Sequence, residues 1–158
     1  MSSIKKTNCC RILDSLAIPY TLLTYEWSED SLDAISVADK LQLPHEIVFK
    51  TLVLRGDSTP VFVIIVPGNQ EVSLKKVAKA TGNTNCSLLP ISDLFHLTGY
   101  LRGGCSPIGM KKQFPTYLEE TSFLFDEISI SPGQRGMQIL LSPKDIVTAT
   151  NAMVSNLL

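Results

Sequence analysis

The sequence contains no CxxC pair, and its two histidines, His45 and His96, stand in neither an HExxH nor an HxxxH spacing. A structural zinc centre or a dithiol redox site therefore has nothing to build on, and no metal or cofactor is expected. Both histidines read as structural or solvated, and no Ser-His-Asp or Cys-His set can be assembled for nucleophilic catalysis. No run approaches the ~20 apolar residues of a membrane span. The opening stretch, MSSIKKTNCC, lacks the apolar core of a signal peptide, so a cytoplasmic protein is expected. Charge of one sign is missing too: 14 basic residues face 15 acidic ones, for a net charge of −1. That balance excludes a wide basic face for nucleic acid, because each phosphate contact needs a Lys or Arg. A small contact area remains open, with Lys75, Lys76 and Lys79 clustered in one segment and Arg102, Lys111 and Lys112 in another. Such clusters are ordinarily solvated faces. The four cysteines fit a reducing compartment: Cys9 and Cys10 are adjacent, Cys86 and Cys105 isolated. Cys9, Cys10 and Cys86 read as small hydrophobes.

What is present is an ordinary apolar core. With 158 residues, 44% hydrophobic and 18% charged, residues 1–158 should form one domain. Such a chain buries roughly 70% of its unfolded surface. Cys9, Ile12, Leu13 and Leu16 recur at helical spacing, so a helix ends near Ile18-Pro19, and the strand YTLLTY follows. Ala34, Val37, Ala38 and Leu41 repeat the helical pattern. KTLVLRG and PVFVIIVPG then read as two strands across the turn GDSTP, the second apolar on both faces and hence central. SLKKVAKATG reads as a helix capped by Ser73 and ended by Gly82, and SDLFHLTG as another with Ser92 and Gly99 in those roles. TYLEE, SFLFDEISIS and MQILLS are β-rich, and the later strands look antiparallel. A closing helix starts at SPKD, with Ser142 as N-cap, Pro143 in the first position and Asp145 completing a capping box. The sum is a mixed α/β domain around a curved mixed sheet or barrel with surrounding helices.

One stretch does not belong to any element. YLRGGCSPIGMKK, from Tyr100 to Lys112, gathers three glycines, a proline, a hydroxyl and a thiol between an Arg and two Lys. Gly and Pro penalise a helix, and a strand there would have little to pack, so it is a loop whose backbone matters. Beside it stand Lys50 at a strand entry and Ser131 in ISISPGQRG. Singly, the first is commonplace solvation and the second standard turn chemistry.

Together, FKTL, TGYLRGGCSPIGMKK and ISPGQRG resemble the YbaK family of free-standing aminoacyl-tRNA editing proteins, relatives of the editing domain of bacterial prolyl-tRNA synthetase. The likeness runs from ILDSLAIPYTLLTY to LSPKDIV. It implies that family's fold and a trans-editing deacylase that releases misattached cysteine, or another small amino acid, from the 3′ end of tRNA(Pro). Release would proceed by hydrolysis or by thiol-driven cyclisation, as a hydrolase or a lyase, with the ribose 2′-hydroxyl or the cysteine thiol supplying the attacking group. By the same resemblance the essential lysine falls on Lys50 and the glycine whose backbone meets the ester on Gly103. Gly104, Cys105, Ser106, Pro107, Tyr25 and Ser131 fall among substrate-binding positions. Cys105 stands where some relatives carry Ile. Prolyl-tRNA synthetase is the implied partner.

The chemistry is reasonable on its own terms. A loop N–H without a neighbouring Cβ can approach a carbonyl closely, and one aimed donor is worth roughly 3–4 kcal/mol in a transition state. Lys50 supplies a point charge for phosphate or developing negative charge. Two rivals are a Cys105 thiolate nucleophile encouraged by Arg102, and a non-catalytic module that binds the aminoacyl end of tRNA or a synthetase.

Overall fold

The computed structural model describes residues 6–158. Among these, five helices pack on two sheets: α1 Asn8–Ser15, α2 Ala34–Leu41, α3 Leu74–Thr81, α4 Ile91–Thr98 and α5 Pro143–Thr150. The strands are β1 Thr21–Thr24, β2 Phe49–Gly56, β3 Phe62–Pro67, β4 Cys86–Leu88, β5 Thr116–Glu119, β6 Ile128–Ile130, β7 Met137–Leu141 and β8 Met153–Ser155. A three-stranded sheet runs β1-β7-β6 and a five-stranded one β4-β2-β3-β5-β8. The mixed sheet is borne out, but it does not close as a barrel; an isolated bridge, Val48 to Ser129, joins the edge of β2 to β6.

Strand β3 is central, and all six of its residues are buried. Its alternation feeds three apolar clusters. Phe62, Ile64 and Val66 face Leu54, Val77 of α3 and Leu157. Ile65 faces a cluster built on α1, β6, β7 and α5. Val63 faces Tyr100, Cys105 and Phe114 under the glycine loop. Burial on both faces explains why this strand reads as an unbroken apolar run.

The helix boundaries follow side-chain caps. Thr7, Asp33, Ser73 and Ser142 each accept a backbone N–H of the first turn, and Gly82 and Gly99 end α3 and α4 in the left-handed conformation. Helix α4 departs from expectation at its start: Pro90 holds the cap position without a side-chain bond, so Ser92 lies inside the helix. A proline sets the entry dihedral and leaves the hydroxyl no role. At α5 the Ser142 arm of the capping box forms, through the Asp145 N–H. Leu16, expected on the buried face, is exposed because α1 stops at Ser15 and the chain turns at Ala17 with φ 56°.

The antiparallel expectation holds for β6 with β7, but β5 runs parallel to β3 and β8. The first half of SFLFDEISIS winds as a 3-10 turn over Glu120–Leu124, and β8 adds a strand after the helix expected to close the chain. A buried carboxylate fixes that last crossover: Glu119, 1% exposed, accepts the N–H of Leu157 at 2.9 Å and that of Thr121 at 2.7 Å. A hydrogen bond to a charged group contributes about 1.5–3 kcal/mol. Glu119→Ala is therefore expected to lower the unfolding free energy by at least about 2 kcal/mol, read from the urea midpoint. An unchanged midpoint would contradict the role given to this carboxylate.

Candidate active site

Strand β4 pairs with β2 at Leu54, Arg55 and Gly56 only. The pairing ends with the Leu89 N–H donating to the Val53 carbonyl at 2.9 Å, and β6 meets the entry of β2 at the isolated Val48–Ser129 bridge. A cavity of about 360 Å³ is lined by the stretch of β2 that precedes this pairing. Val48–Val53 line it together with Leu32, Ala34, Val37 and Gly68. Leu88, Leu89, Ile91 and Leu94 from the β4–α4 region add apolar surface, and Arg102, Gly103, Cys105, Ser131 and Gln138 complete the lining. The lining is mostly apolar with a few polar groups, the usual build of a small-molecule site.

Four of the expected residues, Lys50, Gly103, Cys105 and Ser131, thus meet in one cavity. Lys50 lies at the start of β2 and is half-buried; among the described residues neither it nor Arg102 is paired with a carboxylate. Gly103 is the third residue of a turn closed by the Gly104 N–H donating to the Leu101 carbonyl at 2.9 Å, with φ +82°. That is the dihedral a type II turn requires at this position, and it favours glycine. A Cβ there would also press on Leu32 at 2.9 Å. Ser131 uses an Oγ lone pair to accept the Gly133 N–H at 3.2 Å, which leaves its O–H as a donor.

The other four expected residues lie outside the lining. Ser106 is fully buried, and its hydroxyl accepts the Ile108 N–H at 3.2 Å. Pro107 is buried beside it, and Gly104 is buried against the backbone of Gln134 and Arg135. Tyr25 borders a separate shallow hollow with Trp27 and Lys40. Gln138, which lines the cavity, is among the groups that act on its hydroxyl. Burial raises that hydroxyl above the ordinary phenol range, and hydrogen bonds from Gly136 and Gln138 partly offset this.

Gln138 was not singled out by sequence. It is 5% exposed, lines the cavity, and accepts the Ser129 hydroxyl proton at 2.6 Å through Oε1. That bond orients the amide so that its Nε2 is the end left to donate. The only signal available was a polar residue amid the apolar run MQILL. Asp33 was missed too; it lines the rim, but hydrogen bonds from the Ser36 hydroxyl and N–H hold its carboxyl below the usual range as the cap of α2.

Cys105 is the thiol in the lining, and burial pushes its pKa up to about 12. Cys9, desolvated in the core, is likewise pushed up to about 12. Neither is a thiolate near neutrality, which removes the physical basis of the Cys105 nucleophile. Unfolded, both thiols lose their protons near 9.0. From there to about 12 the unfolded chain binds fewer protons than the folded one. This contribution is full below pH 9 and is lost as the pH rises through that window. Urea midpoints are expected to fall across it, and less steeply in Cys105→Ala; identical slopes would place Cys105 in a solvated setting. Iodoacetamide at about pH 8 should spare Cys105 in the native protein and label it in the unfolded one.

The aminoacyl-tRNA editing domain family matches residues 28–149. EbsC of Enterococcus faecalis, a candidate Cys-tRNA(Pro)/Cys-tRNA(Cys) deacylase by name, is 48% identical over 153 residues, covering 97% of this chain and 93% of that protein. Among solved structures, the hypothetical protein APE2540 superposes with a TM-score of 0.86 at 18% identity, covering 96% of this chain and 99% of that one. A candidate trans-editing enzyme for prolyl tRNA synthetase superposes with a TM-score of 0.80 at 21% identity, covering 98% of this chain and 98% of that one. The fold is theirs, the match takes in β2, the glycine loop and the Ser131 turn together, and the chain belongs to the aminoacyl-tRNA editing domain family.

Proposed function

We propose that this protein is a trans-editing deacylase that releases misattached cysteine, or another small amino acid, from the 3′ end of tRNA(Pro). One observation carries the reading: a cavity of small-molecule size brings the Gly103 turn and two unpaired cations, Lys50 and Arg102, to an apolar pocket without a protein nucleophile of its own. An aminoacyl ester matches that arrangement. Gly103 offers a backbone donor to the carbonyl as it becomes an oxyanion, and Lys50 offsets phosphate or developing charge. The attacking group then comes from the substrate, as the ribose 2′-hydroxyl or the cysteine thiol. The 48% identical relative supports the substrate class. Lys50, Gly103 and Cys105 form the proposed reaction cavity with Ser131. Gly104, Ser106 and Pro107 set the loop, and Tyr25 acts through Gln138.

The deciding experiment is release of labelled cysteine from charged tRNA(Pro) by the wild type and Lys50→Ala. The variant is expected to lose about 10²-fold or more in rate while its Tm stays within about 2 °C. Near-normal turnover in a folded variant would sink the assignment, and a wild type that binds charged tRNA without releasing amino acid would make the protein a binding module.

Recognition of the tRNA body is assigned to a partner, with prolyl-tRNA synthetase the candidate, in the cytoplasm. The two cations in the cavity lining are few for a nucleic-acid footprint. Affinity should fall with salt along a log–log slope of about −2 at most. Tethering to the synthetase would raise the effective concentration without new contacts. Alone, the protein is expected to release cysteine from tRNA(Pro) and tRNA(Cys) at similar rates, and to spare the latter when the synthetase is added. A steep slope together with strong discrimination by the isolated protein would transfer tRNA selection to this chain.

A further inference from the structure

We propose that Arg135 is a positioning residue that aims the Gly103 N–H at the substrate carbonyl. The inference rests on the proposed deacylase reading and adds a residue to it. Arg135 is not part of the cavity lining, yet its Nε donates to the Arg102 carbonyl at 2.8 Å. That carbonyl and the Gly103 N–H are opposite edges of one planar, trans peptide. Holding the oxygen toward Arg135 points the N–H away from Arg135, and Gly103 is itself a lining residue of the cavity. Among the described residues no acceptor takes that N–H.

The guanidinium is itself held from two sides. Its carbon sits 5.2 Å from the ring centre of Trp27, the one tryptophan of the sequence, and its Nη1 lies 4.0 Å from Glu29. Only 20% of the side chain is exposed. A planar group stacked on an aromatic face and bonded through its Nε fixes direction as well as charge, which a lysine at that position cannot reproduce. The central peptide of a turn can flip between type I and type II geometry, and flipping would reverse the donor. Arg135 holds it in one sense.

The test uses the full chain, labelled with nitrogen-15. In Arg135→Met the Gly103 amide resonance is expected to move while those of β3 stay in place. In the same variant kcat for release of cysteine from charged tRNA(Pro) is expected to fall tenfold to a hundredfold, with KM within about threefold, because an aimed donor acts in the transition state. Arg135→Lys should recover only part of the rate. A folded Arg135→Met with wild-type kcat, a loss confined to KM, or an unmoved Gly103 resonance would each overturn the proposal. If Arg135→Met fails to fold, Arg135→Lys is judged by the same two readouts. A wild type that releases no amino acid refutes the deacylase reading instead, and the Gly103 resonance then decides alone whether Arg135 holds the turn.

Discussion

The site depends on how closely two loops can approach. The loop from Tyr100 to Gly109 and the loop from Ser131 to Gly136 come from different parts of the chain. They meet where the ring of Tyr100 lies against Gly133, so that a Cβ on Gly133 would fall 2.5 Å from the ring. Tyr100 is anchored on the other side, its hydroxyl donating to the Ile108 carbonyl at 2.7 Å. One buried aromatic therefore sets the spacing of both loops, and the Arg135 bond to Arg102 then sets their relative orientation. Close packing makes such a junction stiff, because a shift of either loop would force the ring off its seat.

That stiffness suits a cavity which holds donors and charge but no nucleophile. Preorganised backbone groups lower a barrier only when they already point where charge will develop, and flexible ones would have to reorganise at the moment of reaction. Burial serves the same end. It keeps the Cys105 thiol protonated, so the pocket wall is soft and neutral and does not compete with the substrate for its own ester carbon. Leu32, packed on Gly103, and the leucines from the β4–α4 region make the lining apolar, and in the proposed mechanism a low local dielectric would strengthen the effect of Lys50 and of the loop donor.

Much of this was legible in the sequence because the signals were local. Caps at Ser73, Ser142, Gly82 and Gly99 are decided within four residues, and the unbroken apolar run of β3 states its own burial. What escaped depends on contacts distant in sequence. β8 is only Met153–Ser155, and its pairing with β5 spans more than thirty residues, so no periodicity could reveal it. The apolar content of SFLF looked like a strand, but the Glu119 side chain accepts the Thr121 N–H and starts a 3-10 turn. A side chain that competes for a backbone donor overrides propensity.

The candidate site divides along the same line. Composition marks the glycine loop as a segment whose backbone matters, since Gly and Pro rule out a helix and leave a strand little to pack, while its chemistry was read from the resemblance alone. Resemblance could place Gly104, Ser106 and Pro107 at the loop, but not say which of its residues face the cavity; the fold turns Gly103 and Cys105 toward it and those three away. Gln138 and Arg135 were silent for a different reason. A glutamine inside a strand and an arginine in a turn are unremarkable by type, and their meaning lies in a single bond each, to Ser129 and to the Arg102 carbonyl. Sequence pattern records which backbone must be free to move close. The side chains that hold that backbone still are visible only once the two loops have been brought together.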